Sequence, residues 1–223
     1  MVKKSSQTLL RGRAEEGQRT RARLVEVALK TLIENGYAGT SARAIAARGE
    51  INPALIFYHF GSVDNLLLAA LDGSSAERLE RYQREVAEVG DQLEFIRRAA
   101  QLFREDVEGG HVTAMTEMIG ASLSKPQLRA EMVTRMRPWA EFTEQVLTRF
   151  LATSPLHALM PMAETAAFAI TAGYLGLNLL SRFLPDLSQT DRLFELVAQL
   201  AGSGAVGDSD PGDNPEGSVP LRP

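Results

Sequence analysis

Between positions 40 and 59 the chain carries Thr40, Ser41, Arg43, Asn52, Tyr58 and His59. Two hydroxyls, a guanidinium, a carboxamide, a phenol and an imidazole do not form a nucleophile–base pair. What they share is the ability to donate hydrogen bonds to anionic oxygen or to the polar edges of bases. Asn52 can bond a base edge, and Pro53, Ala54 or Leu55 beside it can pack against thymine methyls. The Tyr58 O–H and His59 N–H are suited to phosphate oxygens. Elsewhere, His111 and His157 are isolated, and no HExxH, GxSxG or phosphate-loop pattern occurs. The chain has no cysteine, which excludes disulfides, thiolate metal sites and cysteine nucleophiles. No catalytic residue, metal or cofactor is therefore expected.

Short helices must hold these side chains. Thr40 or Ser41 can cap a first helix, because a hydroxyl oxygen accepts a bond from an unpaired first-turn N–H. Ala42, Ala44, Ala46 and Ala47 favour that helix, and Ile45 anchors it inward. Gly49 and Glu50 break the run. Asn52 can cap a second helix with Pro53 at its first position, where a missing N–H costs nothing, and Gly61 ends it. Two short helices joined by a tight turn make a helix-turn-helix candidate, whose second helix enters the major groove by its N-terminal end. A helix over residues 18–35 precedes the pair, with Leu24, Val25, Ala28, Leu29, Leu32 and Ile33 on one face and Gly36 as its stop. Arg19, Arg21 and Arg23 on it can face a phosphate backbone. A further helix starts after Ser62, with Leu66, Leu67, Ala70 and Leu71 packing back and a break or kink expected at Gly73-Ser74-Ser75.

Ile45-Ala46, Ile56-Phe57-Tyr58-His59-Phe60, Gly61-Ser62 and Asp64-Asn65-Leu66-Leu67, in that order, resemble the N-terminal domain of the TetR family of bacterial transcriptional regulators. The resemblance covers roughly residues 20 to 71. It implies base contacts from the start of the second helix, phosphate contacts from Tyr58 and His59, and a base or phosphate contact from Arg43. It further implies a ligand cavity among the middle helices, with repression as the default outcome and release by a small apolar or amphipathic effector. Phe103, Met115, Met118, Trp139, Phe142 and Phe168 are the candidates for the cavity lining. A single head reads too little DNA to be specific, so a homodimer is expected. Its surface is sought on the last two helices, at Ala167, Ile170, Tyr174, Leu177, Leu193, Leu196, Val197 and Leu200, where relatives form an intersubunit four-helix bundle. Three positions depart from the family pattern. Val63 stands where a phosphate-binding Lys is usual, Phe57 where a Tyr is common, and Glu50 where a turn glycine is usual. A left-handed Glu50 would cost on the order of 1 kcal/mol.

The remaining residues read as an all-α chain. Net charge is −4, yet residues 1–48 hold ten Lys/Arg against four Asp/Glu, so a basic end sits on an acidic body. The expected organisation is a flexible basic arm over 1–17 and a helix-turn-helix DNA-binding domain over 18–62. An α-helical ligand-binding and dimerisation domain over 63–201 and a disordered acidic tail over 202–223 complete it. Pro138 should bend a long helix over 127–152, and Pro155 and Pro161 should bracket a loop. The most apolar segment, 163–180, contains Glu164 and Asn178 and is short for a bilayer. No signal peptide or membrane span is expected, and the location expected is cytoplasmic. The expected partners are double-stranded operator DNA, a second copy of the chain and a small-molecule effector. Two other readings compete: a DNA-binding dimer that is an activator or is controlled by protein, and a helical interaction protein whose motif has decayed.

Overall fold

Leu24, Ala28 and Leu32 recur at the one-turn spacing of a helix, and all three are fully buried. They lie on α1 (Val2–Gly39), the first element of a computed structural model that describes residues 2–152, 157–183 and 188–203. Residues 2–17 continue α1 and are not the irregular arm that their polarity suggested. The segment lacks proline, and Lys3, Lys4, Leu9, Leu10, Arg11, Arg13, Ala14, Glu15 and Glu16 are all good helix formers. Its lone glycines, Gly12 and Gly17, cost a helix only about 1 kcal/mol each. Gly36 interrupts α1 where expected, with φ 67° and ψ 175°.

α2 (Ala42–Gly49) and α3 (Ala54–Phe60) follow, then α4 (Val63–Ala87), whose cap is Ser62. The Ser62 hydroxyl oxygen accepts from the Asn65 N–H at 3.0 Å. α4 runs unbroken through Gly73-Ser74-Ser75, so the expected break is absent. Buried Leu66, Leu67 and Leu71 hold the helix before this stretch, and Tyr82 and Val86 hold it after. The small residues serve packing, since Ser74 and Ser75 line a cavity described below.

Asp91 caps α5 (Gln92–Gly109) by accepting from the Leu93 and Glu94 N–H groups at 2.7 and 3.0 Å. Gly110, at φ 71°, turns the chain into α6 (His111–Ser122). α7 (Pro126–Ala152) continues through Pro138 as one element. A 3-10 turn over His157–Met162 contains Pro161 and leads into α8 (Ala163–Phe183) and then α9 (Ser188–Ser203). Pro155 and the tail from 204 lie outside the described residues, and Gly202 and Ser203 belong to α9. No strand occurs among the described residues.

α1 packs on α2, α4 and α6, α5 on α9, and α7 on α8. One apolar cluster links the two halves. Leu24, Ile45 and Ile56 from α1–α3 join Leu66, Leu67 and Leu71 of α4, Ala114 and Met118 of α6, and Leu128 and Met132 of α7. Each fully buried leucine or isoleucine contributes roughly 1.5–3 kcal/mol. The core is therefore continuous across the 62/63 boundary.

Candidate nucleic-acid interface and buried cavity

The α2–α3 turn is set by capping and close packing. Ser41 caps α2, its hydroxyl oxygen accepting from the Ala44 N–H at 3.1 Å. Thr40 is buried and donates its hydroxyl to the Gly36 carbonyl at 2.6 Å. Its side chain braces the α1 break. Glu50 adopts the left-handed conformation (φ 51°, ψ 42°), as its position in the turn requires. Gly49, one residue earlier, needs no positive φ; a Cβ there would meet Ile51 Cδ1 at 2.9 Å and Val27 Cγ1 at 3.3 Å. Arg23 donates to the Gly49 carbonyl at 2.7 Å, so that arginine is spent on the turn. Arg21 lies over the Phe60 ring at 4.9 Å.

On α3 the Asn52 side-chain oxygen accepts from the Ala54 N–H at 2.9 Å, which leaves its NH2 group as a donor. Asn52, Pro53, Ala54 and Arg43 are exposed. Tyr58 is 81% exposed and His59 half-buried, their rings meeting edge-on at 4.9 Å. Leu55 is half-buried and packs on the core. Phe57 is 52% exposed, although its neighbour Ile56 is fully buried. Val63 packs against the core from the first turn of α4.

Behind the head, three side chains tie it to the body. The Tyr37 hydroxyl donates to Asp64 Oδ1 at 2.6 Å, and Lys125 Nζ reaches Asp64 Oδ2 at 2.9 Å and the Tyr37 hydroxyl. The Tyr37 N–H donates to Glu117 of α6 at 2.9 Å, beside the Gly36 break. In the sequence Asp64 stood out only as part of the motif that follows Ser62.

A cavity of about 140 Å³ opens between α4, α6, α7 and α8. Met115, Trp139 and Phe142 line it as expected. The other three expected lining residues lie elsewhere. Phe103 packs on Tyr174 and Phe194 between α5, α8 and α9; Met118 is buried in the shared core; Phe168 is 74% exposed. Each sits on the same apolar stripe that periodicity reveals, but a stripe does not say which neighbour it meets. Tyr174, expected at a subunit surface, lines this cavity, and Ile170 does so while remaining half exposed.

Arg78, Tyr82 and His111 form the polar end of the cavity, and Asp106 stands behind them. Asp106 is 2% exposed and accepts from the Tyr82 and Tyr174 hydroxyls, with the Arg78 guanidinium paired to it. Burial, then the adjacent carboxylate, pushes the Tyr82 phenol up to about 12 and raises Tyr174 further, so both remain donors. The Arg78 cation lies 5.6 Å from the Tyr82 ring and 5.5 Å from the Trp139 ring. Ser74 Oγ and His111 Nδ1 are 2.6 Å apart. Burial, then the Arg78 charge, holds the His111 imidazole below its ordinary value, in the neutral form. None of these polar residues was singled out as a ligand contact from the sequence.

On α8 and α9 the remaining candidates divide. Ala167 is buried and Leu177 half-buried, whereas Leu193, Leu196 and Val197 are 41–51% exposed. The Leu200 side chain lies outside the described residues. Phe183, 73% exposed, extends this apolar face.

Residues 24–70 match the model of the "Bacterial regulatory proteins, tetR family". An uncharacterized HTH-type transcriptional regulator of Mycobacterium tuberculosis is 25% identical over 121 residues, 54% of this chain. The chain spans 62% of that relative's length. An HTH-type transcriptional repressor of the same species is 43% identical over 60 residues, 26% of this chain and 32% of the repressor. In three dimensions the fold is shared with the transcriptional regulator FadR of Bacillus subtilis, solved in complex with stearoyl-CoA. The TM-score is 0.64 at 14% identity, covering 82% of this chain and 98% of that one. The matched segment runs from the middle of α1 to the first two turns of α4, so the head just described is that of the TetR family of bacterial regulatory proteins.

Proposed function

We propose that the protein is a sequence-specific DNA-binding transcriptional regulator. It works as a homodimeric repressor that a small apolar or amphipathic effector releases from its operator. The observation that carries the reading is the exposed start of α3. There Asn52, Pro53 and Ala54 face solvent, and Tyr58 stands 81% exposed one turn on, while Ile56 anchors the helix beneath. Base contacts come from Asn52 and Ala54, and phosphate contacts from Tyr58, His59, Arg43 and the Ser41 end of α2. A second copy fits the exposed apolar face of α8 and α9, where Phe168, Ile170, Phe183 and Leu196 are each at least half exposed. An apolar patch of this kind marks an interaction surface. The repressor role draws support from the relative that bears that name, and the effector role from the cavity and the stearoyl-CoA-bound neighbour. This cavity, at about 140 Å³, is too small for a long acyl chain.

Fluorescence anisotropy against genomic fragments, including the region upstream of its own gene, at two salt concentrations tests the reading. Saturable, fragment-selective binding with a steep salt slope is expected. Equally weak binding on every fragment would overturn it. Phe168→Asp should shift the dimer to monomer in sedimentation and weaken operator binding; a dimer that persists removes the α8–α9 interface.

A further inference from the structure

α1 is longer than the head needs. Among the described side chains its first buried residue is Leu24, yet the helix starts at Val2. The stretch from Val2 to Arg21 spans about 30 Å at 1.5 Å per residue. It is bare where its side chains are described. Gly12 is exposed, as is every residue from Ala14 to Arg23 except Gly17 and Thr20. A Cβ at Gly12 or Gly17 would meet nothing within 4 Å. A helix that buries no face gains little from packing, so charge is what this stretch offers a partner.

That charge is concentrated. Residues 1–23 hold seven Lys/Arg against two Asp/Glu, whereas residues 24–223 hold seventeen against twenty-six. The stretch also leaves the molecule on its reading side. At its base Arg21 lies over the ring of Phe60, the last residue of α3, and Arg23 donates to the Gly49 carbonyl in the α2–α3 turn. The opposite end of α1 meets the body, where the Tyr37 N–H donates to Glu117 of α6. The helix therefore runs from the acidic body, past the reading helix, and on into solvent.

We propose that this extension of α1 is a second DNA-contacting element, which grips the phosphate backbone outside the half-site read by α3. A helix with its side chains is about 10–12 Å across and the minor groove about 6 Å wide, so the extension lies along the backbone and does not enter that groove. It adds affinity and salt dependence without base specificity. Its length is close to one DNA turn of about 34 Å, so the contact reaches several base pairs past each half-site. From Arg11 to Arg23 no large apolar side chain occurs, so the stretch is not built to lie in a lipid surface. The inference rests on the DNA-binding reading above and adds a contact that α2 and α3 do not supply.

Lys3, Lys4, Arg11 and Arg13 are replaced together by Gln, a good helix former, which leaves the packed part of α1 untouched. The variant and the unaltered protein are titrated by anisotropy at several salt concentrations, on a fragment that the protein selects and on a scrambled duplex of equal length. Hydroxyl-radical footprints are recorded on the selected fragment. The variant should bind both duplexes at least tenfold more weakly at low salt, with a logarithmic salt slope shallower by about two or more. Its preference for the selected fragment should not change, and backbone protection should retreat at the outer edges while the half-sites stay covered. Equal slopes and footprints overturn the proposal. A shallower slope with an unchanged footprint overturns it too, because the charge then acts at a distance and not in contact. Loss of binding to phosphatidylglycerol vesicles, with DNA binding unchanged, assigns the stretch to a membrane instead. If the unaltered protein selects no fragment, the function proposed above falls, and the scrambled duplex still decides this inference: an equal slope there overturns it. An unchanged melting temperature checks the fold of the variant; should it drop, the Lys3→Gln, Lys4→Gln pair takes its place, with about half the change in slope.

Discussion

Tyr58 and Tyr82 show how differently the two ends of this molecule use the same side chain. Tyr58, on a seven-residue helix, is 81% exposed, and its ring meets that of its neighbour His59 edge-on. Tyr82, one helix later, is 7% exposed and gives its hydroxyl to a carboxylate 24 residues away. The head keeps its polar groups outward over an apolar anchor, so its chemistry is available to a partner and its stability does not depend on it. The cavity turns polar groups inward, so ligand chemistry and folding energy there share the same atoms. Substitutions at the head should therefore separate binding from stability, and substitutions at the cavity should not.

The largest effect expected from this contrast is at Arg78. Arg78→Met would leave Asp106 buried beside two phenols without its counter-charge, at a cost of about 3 kcal/mol in urea unfolding. A loss under 1 kcal/mol would mean that the tyrosines alone satisfy the carboxylate. Next comes Tyr58→Phe, which should weaken operator binding about tenfold (~1.4 kcal/mol) while the melting temperature stays unchanged. A shift in both would show that the head is not energetically separate. Val63→Lys should steepen the logarithmic salt dependence of DNA binding by about one, by adding a phosphate contact at the start of α4. Because Val63 packs against the core, a small stability loss should accompany that gain.

The smallest effect concerns pH. The folded protein holds the His111 imidazole below its ordinary value of 6.5, mainly through burial. The unfolded chain therefore binds more protons as pH falls below about 6.5, and stability declines there while it is full above. His111→Gln should flatten that part of the pH–stability curve, and an unaltered curve would assign the decline to other groups.

The link between the two ends is the Tyr37–Asp64–Lys125 group together with Glu117 on α6. It joins the last turn of α1 to the first turn of α4 and to the helices that wall the cavity. The two regions also share one apolar core. Ile45 and Ile56 belong to the same cluster as Ala114 and Met132, so a shift of α6 has a packed route to the head.

Local sequence carried the head. Capping hydroxyls, a proline at a helix start, a glycine at each end and a four-residue apolar repeat are all short-range signals, and they located α2, α3 and the start of α4. Even there, the burial of single side chains such as Thr40 and Phe57 was not legible, because a helix of seven or eight residues is too short for its apolar face to be read from periodicity. Residues 2–17 were missed as helix because the absence of an apolar stripe was taken for the absence of structure. In the cavity, Met115, Trp139 and Phe142 were legible as an apolar lining, but Phe103, Met118 and Phe168 on similar stripes met other neighbours.

The all-helical class, the reading head and the family resemblance were determined by the sequence alone, since each depends on residues within a few turns of one another. The cavity's polar end was decided only by the tertiary structure. Arg78, Asp106 and Tyr174 lie on three different helices, with Asp106 and Tyr174 separated by 68 positions. No local propensity relates them; they meet because α4, α5 and α8 bury their apolar faces against a common interior, and the charge carried in with those faces had to be paired there.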